Sequence, residues 1–84
     1  MFTVRWKRAA LDRLADIWLR AADRKAITAA SHQIDLLLSD DPENLGESRP
    51  RGRRVLLDAP PLGVIYRVDP ATQTVYVLTV WSYA

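Results

Sequence analysis

The sequence predicts an α+β domain in the order β-α-α-β-β-β: a mostly antiparallel, twisted sheet with a helical hairpin on one face. Three observations carry this. Apolar residues recur at helical spacing from about residue 7 to residue 38. They alternate with other residues between 53 and 81, where Val, Tyr, Ile and Leu suit a pleated surface. Between the two regimes stands Asp40-Asp41-Pro42, where proline cannot continue a helical hydrogen-bond ladder and biases the residue before it away from α.

The elements follow in order. Phe2-Thr3-Val4-Arg5-Trp6 alternates large apolar with polar residues and reads as a short strand. From about Lys7 to Ala22, Leu11, Leu14 and Trp18 form a helical stripe widened by Ala10, Ile17 and Ala21. Asp16 precedes Arg20 by four residues, a favourable pair on the polar face. Asp23 is placed to cap a second helix running from about Arg24 to Asp40, with Ile27, Ala30, Ile34 and Leu37 or Leu38 as its stripe. Neither helix is long or apolar enough to stand alone in water. The stripes Leu11, Leu14, Trp18 and Ile27, Ile34, Leu37 are therefore expected to be buried on the sheet.

Residues 43–52 hold one proline and two glycines and read as a loop. Strands are expected at 53–58, 62–69 and 74–81, joined by Ala59-Pro60-Pro61 and by a turn at Pro70-Ala71-Thr72-Gln73. Strict alternation puts Val64, Tyr66 and Val68 opposite Ile65 and Arg67. In the last strand it puts Val75, Val77, Thr79 and Trp81 opposite Tyr76, Leu78, Val80 and Ser82. Both faces are sizeable, as expected of central strands with helices on one side and a groove on the other.

At 84 residues the chain reads as a single domain, 1–84, with one limited core. It has no cysteine, which fits a reducing compartment, and no apolar run of spanning length. The expectation is a soluble, cytoplasmic protein without a membrane partner. The net charge of +2 conceals segregation: Asp40, Asp41, Glu43 and Glu47 are followed at once by Arg49, Arg51, Arg53 and Arg54. Arginine is suited to bidentate contact with phosphate or carboxylate, so this cluster points to an anionic partner, either RNA or an acidic protein segment.

Most known chemistry is excluded. The chain has no Gly-rich phosphate loop and no Cys/His metal spacing. His32 lies among polar helix neighbours, and Asp12 with Asp16 reads as a solvated face rather than a cation site. No metal and no cofactor are expected.

Taken together, certain phrases resemble the RelE/ParE toxins of bacterial type II toxin-antitoxin modules. They are Trp6 with Ala10, Leu14 and Ile17-Trp18; Asp41-Pro42 through Gly46-Glu47-Ser48-Arg49; Arg53-Arg54-Val55-Leu56-Leu57; Pro61-Leu62-Gly63-Val64-Ile65-Tyr66-Arg67-Val68; and Val75-Tyr76-Val77-Leu78-Thr79-Val80. The resemblance covers nearly the whole chain. It implies a growth-arresting toxin neutralised by a cognate antitoxin in a hetero-oligomer. In the RelE branch the toxin enters the ribosome and cuts mRNA without a metal; in the ParE branch the target is DNA gyrase, with no hydrolysis. A degenerate member would only bind its antitoxin. The mRNA endonuclease is the reading preferred here.

Metal-free RNA cleavage needs a base, an acid and cations around the phosphate. By resemblance Arg54 occupies the position of a basic residue of the RelE site and would stabilise phosphate charge. Glu47 would be the base, and Tyr83 an acid-base or stacking group. Arg49, Arg51, Arg53, Arg67 and Trp81 would hold RNA or the antitoxin. Arg53 and Arg54 alternate across a strand, with Arg54 expected on the groove face. Two positions depart from the RelE pattern. Gly63 stands where active RelE-type toxins carry an arginine, and the chain ends Trp81-Ser82-Tyr83-Ala84 where they carry further basic or His/Tyr residues.

Overall fold

In a computed structural model, which describes residues 1–83, the elements run β1 (Thr3–Trp6), α1 (Arg8–Arg20), α2 (Arg24–Asp40), β2 (Glu47–Arg49), β3 (Arg53–Ala59), β4 (Leu62–Asp69) and β5 (Thr74–Ser82). They build one five-stranded sheet in the order β1-β5-β4-β3-β2. The β1–β5 pair is parallel and the other three pairs are antiparallel. The predicted α+β order is thus observed, with one strand added.

That strand, β2, lies inside the segment read from sequence as a loop. Two successive residues with left-handed backbone, Arg51 (φ 66°) and Gly52 (φ 72°), turn the chain so that Glu47, Ser48 and Arg49 pair with Val55, Arg54 and Arg53. Gly46, also at positive φ (66°), lies so close to β3 that a Cβ would run into the Val55 carbonyl. A three-residue strand of Glu, Ser and Arg has no apolar alternation, so its sequence carries no strand signal.

The core lies between α2 and the middle of the sheet. Ile27, Ala30, Ile34 and Leu38 face Leu56, Leu62, Val64, Tyr66, Val75, Val77 and Val80. Asp23 caps α2 as expected, its carboxylate accepting from the Ala26 amide at 3.1 Å. The Trp6 indole donates to Asp35 Oδ1 at 2.7 Å, tying β1 to α2. On the surface of α1, Arg20 meets Asp16 at 3.0 Å, the predicted pair.

Helix α1 buries only part of the expected stripe. Ala10 is its one fully buried residue, and Leu14, Ile17 and Ala21 are partly buried against the core. Leu11 is 47% exposed and Trp18 38% exposed, so neither lies on the sheet. Small Ala10 lets the helix approach closely along that edge. The residues one position further round then open towards α2 instead.

The other correction concerns β5. Ile65 pairs with Thr79 but Tyr66 pairs with Val77, so Leu78 is an extra residue, a β-bulge. A bulge reverses the alternation beyond it. Val75, Val77 and Val80 therefore share the helix side, while Tyr76, Thr79 and Trp81 share the outer side. Strict alternation had grouped Thr79 and Trp81 with Val75.

Candidate functional site

Among the described residues no helix covers the outer face of the sheet. Paired residues on neighbouring strands place their side chains on the same face. Register therefore aligns Arg49 on β2 with Arg53 on β3, Arg53 with Arg67 on β4, Arg67 with Tyr76 on β5, and Tyr76 with Arg5 on β1. These five residues form one row across all five strands, about 19 Å long at the usual strand spacing. The Arg67 guanidinium carbon sits 4.6 Å from the Tyr76 ring centroid and Lys7 Nζ 5.3 Å from it, two cation–π contacts on one ring. Arg49 pairs with Glu47 at 2.9 Å across exposed positions. Among the described residues, Arg5, Arg53 and Arg67 form no ion pair.

Beside this row lies an apolar shelf of Val55 and Ile65, continued by Leu57 and Trp81. The Trp81 indole covers Gly63: a Cβ there would lie 2.6 Å from indole Cζ2 and 2.8 Å from Leu57 Cδ2.

The residues assigned nuclease roles by resemblance do not converge. Arg54 pairs with Tyr66, a core residue, and so points to the helix side; the expectation that it faces the groove is corrected in favour of Arg53. Its Nε donates to the Leu45 carbonyl at 2.7 Å and its Nη2 to Gly46 at 3.3 Å. The Tyr66 hydroxyl lies 2.7 Å from the Pro42 carbonyl and 2.9 Å from that of Leu45. Together they pin the segment between α2 and β2. Burial pushes the Tyr66 phenol up, and the neighbouring Arg54 charge offsets part of this. The remaining rim of Arg54 faces a shallow cleft of about 210 Å³ at the end of the sheet, shared with Glu43, Ser48, Arg53 and Val68.

Glu47 is on the outer face, opposite Val55 and ion-paired to Arg49. Tyr83 continues the β5 hydrogen bonding, its amide donating to the Pro61 carbonyl at 2.9 Å, and its hydroxyl donates to the Leu57 carbonyl at 2.7 Å. It is tied to β3 rather than left beyond the sheet. Arg51 projects from the exposed turn between β2 and β3. Arg49, Arg53, Arg67 and Trp81 do share one face.

Sequence reasoning missed Arg5, Lys7 and Tyr76. The signal lay in the parallel β1–β5 register, a pairing of residues about seventy apart that no local pattern encodes. It also missed a groove between the helices. Leu11, Leu14, Ala15, Trp18 and Ile27 line a hollow of about 380 Å³, almost wholly apolar. Arg24 stacks on Trp18 at 4.6 Å and donates to the Trp18 and Leu19 carbonyls at 3.1 and 3.0 Å, closing the end of α1. Beyond Trp18 the surface becomes basic with Arg24, Lys25 and His32.

Solved structures share this fold. The RelBE2 toxin-antitoxin complex from Mycobacterium tuberculosis matches at a TM-score of 0.81 with 23% identity, over 99% of this chain and 92% of that one. The chromosomal ParDE system from P. aeruginosa matches at 0.76 with 22% identity, over 100% and 98%. The intact E. coli RelBE complex matches at 0.66 with 14% identity, over 100% and 98%. No curated protein matches the sequence. At these identities the structures establish the common fold. The family model described as "ParE toxin of type II toxin-antitoxin system, parDE" matches residues 4–84, nearly the whole chain, and the protein belongs to that family of toxins.

Proposed function

We propose that this toxin acts by binding its target rather than by cutting RNA, that the target is DNA gyrase, and that a cognate antitoxin neutralises it. The observation that carries this is the placement of Arg54. A phosphate-stabilising cation must meet the base and the acid around one phosphate. Arg54 instead lies on the helix side, committed to the Leu45 and Gly46 carbonyls, while Glu47 lies on the outer side, paired to Arg49, and the Tyr83 hydroxyl is committed to the Leu57 carbonyl. The Gly63 position, where the RelE pattern has an arginine, is filled by Trp81. The full-length match to the ParE family points the same way.

The outer face and the helix groove then serve as binding surfaces. An antitoxin segment with an amphipathic helix fits the groove between α1 and α2: its apolar residues would seat on Leu11, Leu14 and Trp18, and acidic residues beyond them would meet Arg24 and Lys25. The solved relatives are themselves toxin-antitoxin complexes, which supports such a partner.

The test is induction of the toxin followed by two readouts. Supercoiling of relaxed plasmid by gyrase is expected to fall, and primer extension on translated mRNA is expected to show intact transcripts. Cut transcripts with normal supercoiling would overturn the proposal and restore the nuclease reading.

A further inference from the structure

We infer that the row Arg49–Arg53–Arg67–Tyr76–Arg5 is a track for the phosphodiester backbone of duplex DNA, so that this toxin holds DNA directly. The inference takes its choice of duplex DNA from the gyrase reading. Like charges placed directly opposite one another on a sheet destabilise it. Here Arg49 faces Arg53 and Arg53 faces Arg67, on strands about 4.8 Å apart. Arg53 and Arg67 have no carboxylate partner among the described residues. A fold that keeps such a row where a single Glu or Thr would relieve it departs from local consistency, and departures of that kind mark functional surfaces.

The row crosses all five strands over about 19 Å, an extended positive surface against which a duplex, with one phosphate charge per about 1.7 Å of its axis, can set several phosphates at once. Single-stranded RNA is recognised mainly by bases stacked on open aromatic rings. The one aromatic in the row, Tyr76, already carries Arg67 and Lys7 against its ring, and Trp81 lies away from the row, opposite Gly63, four residues along β4 from Arg67. A row of cations whose own ring is occupied suits a backbone whose bases are paired. Arg49 joins by exchanging its exposed bond to Glu47 for a phosphate, a low-cost exchange for a solvated pair.

The test is fluorescence anisotropy of the full chain with a labelled duplex of about 20 base pairs and mixed sequence, from about 50 to 200 mM salt. Four arginine–phosphate contacts predict a slope of log K against log salt near −3.6. Arg53→Gln, Arg67→Gln and Arg5→Gln should each lower the slope by about one and weaken binding by about tenfold at 50 mM salt, while Arg20→Gln on α1 leaves both unchanged. Circular dichroism of each variant checks folding. The wild-type slope needs no variant and stands as an independent readout. A slope shallower than about −2, or row variants equal to wild type, would overturn the inference. So would tighter binding of single-stranded RNA of the same length, or equal binding of polyglutamate, which would give the row to RNA or to an acidic protein. Gyrase is absent from this assay, so its result separates from the supercoiling result. Row-dependent duplex binding with normal supercoiling refutes the gyrase target alone. Inhibited supercoiling without duplex binding refutes the DNA track alone.

Discussion

Trp81 and Gly63 pair directly across β4 and β5, and the indole occupies the space a side chain at residue 63 would need. The contact exists because the bulge at Leu78 turns Trp81 onto the outer face. It joins two departures from the nuclease pattern, the missing arginine and the altered C-terminal residues, into one packing unit. Glycine here is a requirement of close approach rather than of backbone conformation.

Gly63→Ala should therefore destabilise the fold by about 1–3 kcal/mol, the usual cost of forcing extra volume into a packed contact. In a Trp81→Ala background the same change should cost far less, giving a coupling of about 1 kcal/mol or more between the two positions. Denaturant melts of the four proteins measure it. Additive losses would mean that the indole swings away freely.

Arg54 and Tyr66 converge on the Leu45 carbonyl, so each supports the other in fixing the segment that leads into β2. Arg54→Ala should cost about 1–3 kcal/mol of stability, the range for removing hydrogen bonds from a charged donor. Tyr66→Phe should cost a similar amount, and the double variant more than the sum, because each single variant leaves the Leu45 carbonyl one donor and the double leaves it none. Unchanged melting of Arg54→Ala would show that its bonds to the segment are idle, and would return Arg54 to the pool of residues available for ligand.

Tyr66 also gives the fold an alkaline limit. Burial raises its phenol above the ordinary 10.0, so the native state holds the proton more tightly than the unfolded chain. Its contribution is complete below pH 10 and is lost as pH rises through the elevated native value. The difference in urea midpoint between wild type and Tyr66→Phe should then shrink above pH 10 while staying constant below it. A difference that stays flat above that pH would place the phenol in a solvated setting.

The sequence encoded what is local. Helical spacing, the Asp23 cap and the proline stop defined both helices, and Val/Tyr alternation defined β3 to β5, because each depends on neighbours a few residues apart. What depends on distant pairing was not legible. The Leu78 bulge changed which face Trp81 takes, and one residue of phase is enough to do so. The β1–β5 register brought Arg5 to Tyr76, completing a row of which only Arg49, Arg53 and Arg67 had been singled out. Arg54 was misplaced for the same reason: two adjacent arginines on a strand must face opposite ways, and only the pairing of β3 with β4 decides which is which.

Core and groove residues should separate cleanly. Ile34 is 1% exposed in the centre of the helix–sheet core, and Ile34→Ala should cost about 2–5 kcal/mol. Leu11, half exposed on the groove between the helices, should cost less than about 1 kcal/mol when cut to alanine. A loss at Leu11 as large as at Ile34 would put that stripe back on the sheet.

Leu11 and Trp18 should instead be needed for the antitoxin. Binding energy concentrates in a few apolar anchors seated in pockets, with tryptophan prominent among them. Trp18→Ala should therefore weaken the toxin–antitoxin complex by about 2 kcal/mol or more, roughly thirtyfold, acting mainly on dissociation. Arg51→Glu, at the exposed turn between β2 and β3, should act differently. A surface charge steers approach, so reversal should slow association at low salt and leave the dissociation rate nearly unchanged. Surface plasmon resonance at two ionic strengths resolves the two effects. If Trp18→Ala left dissociation untouched, the helix groove would lose its assigned occupant; if Arg51→Glu left low-salt association untouched, the β2–β3 turn would lie outside the antitoxin's path.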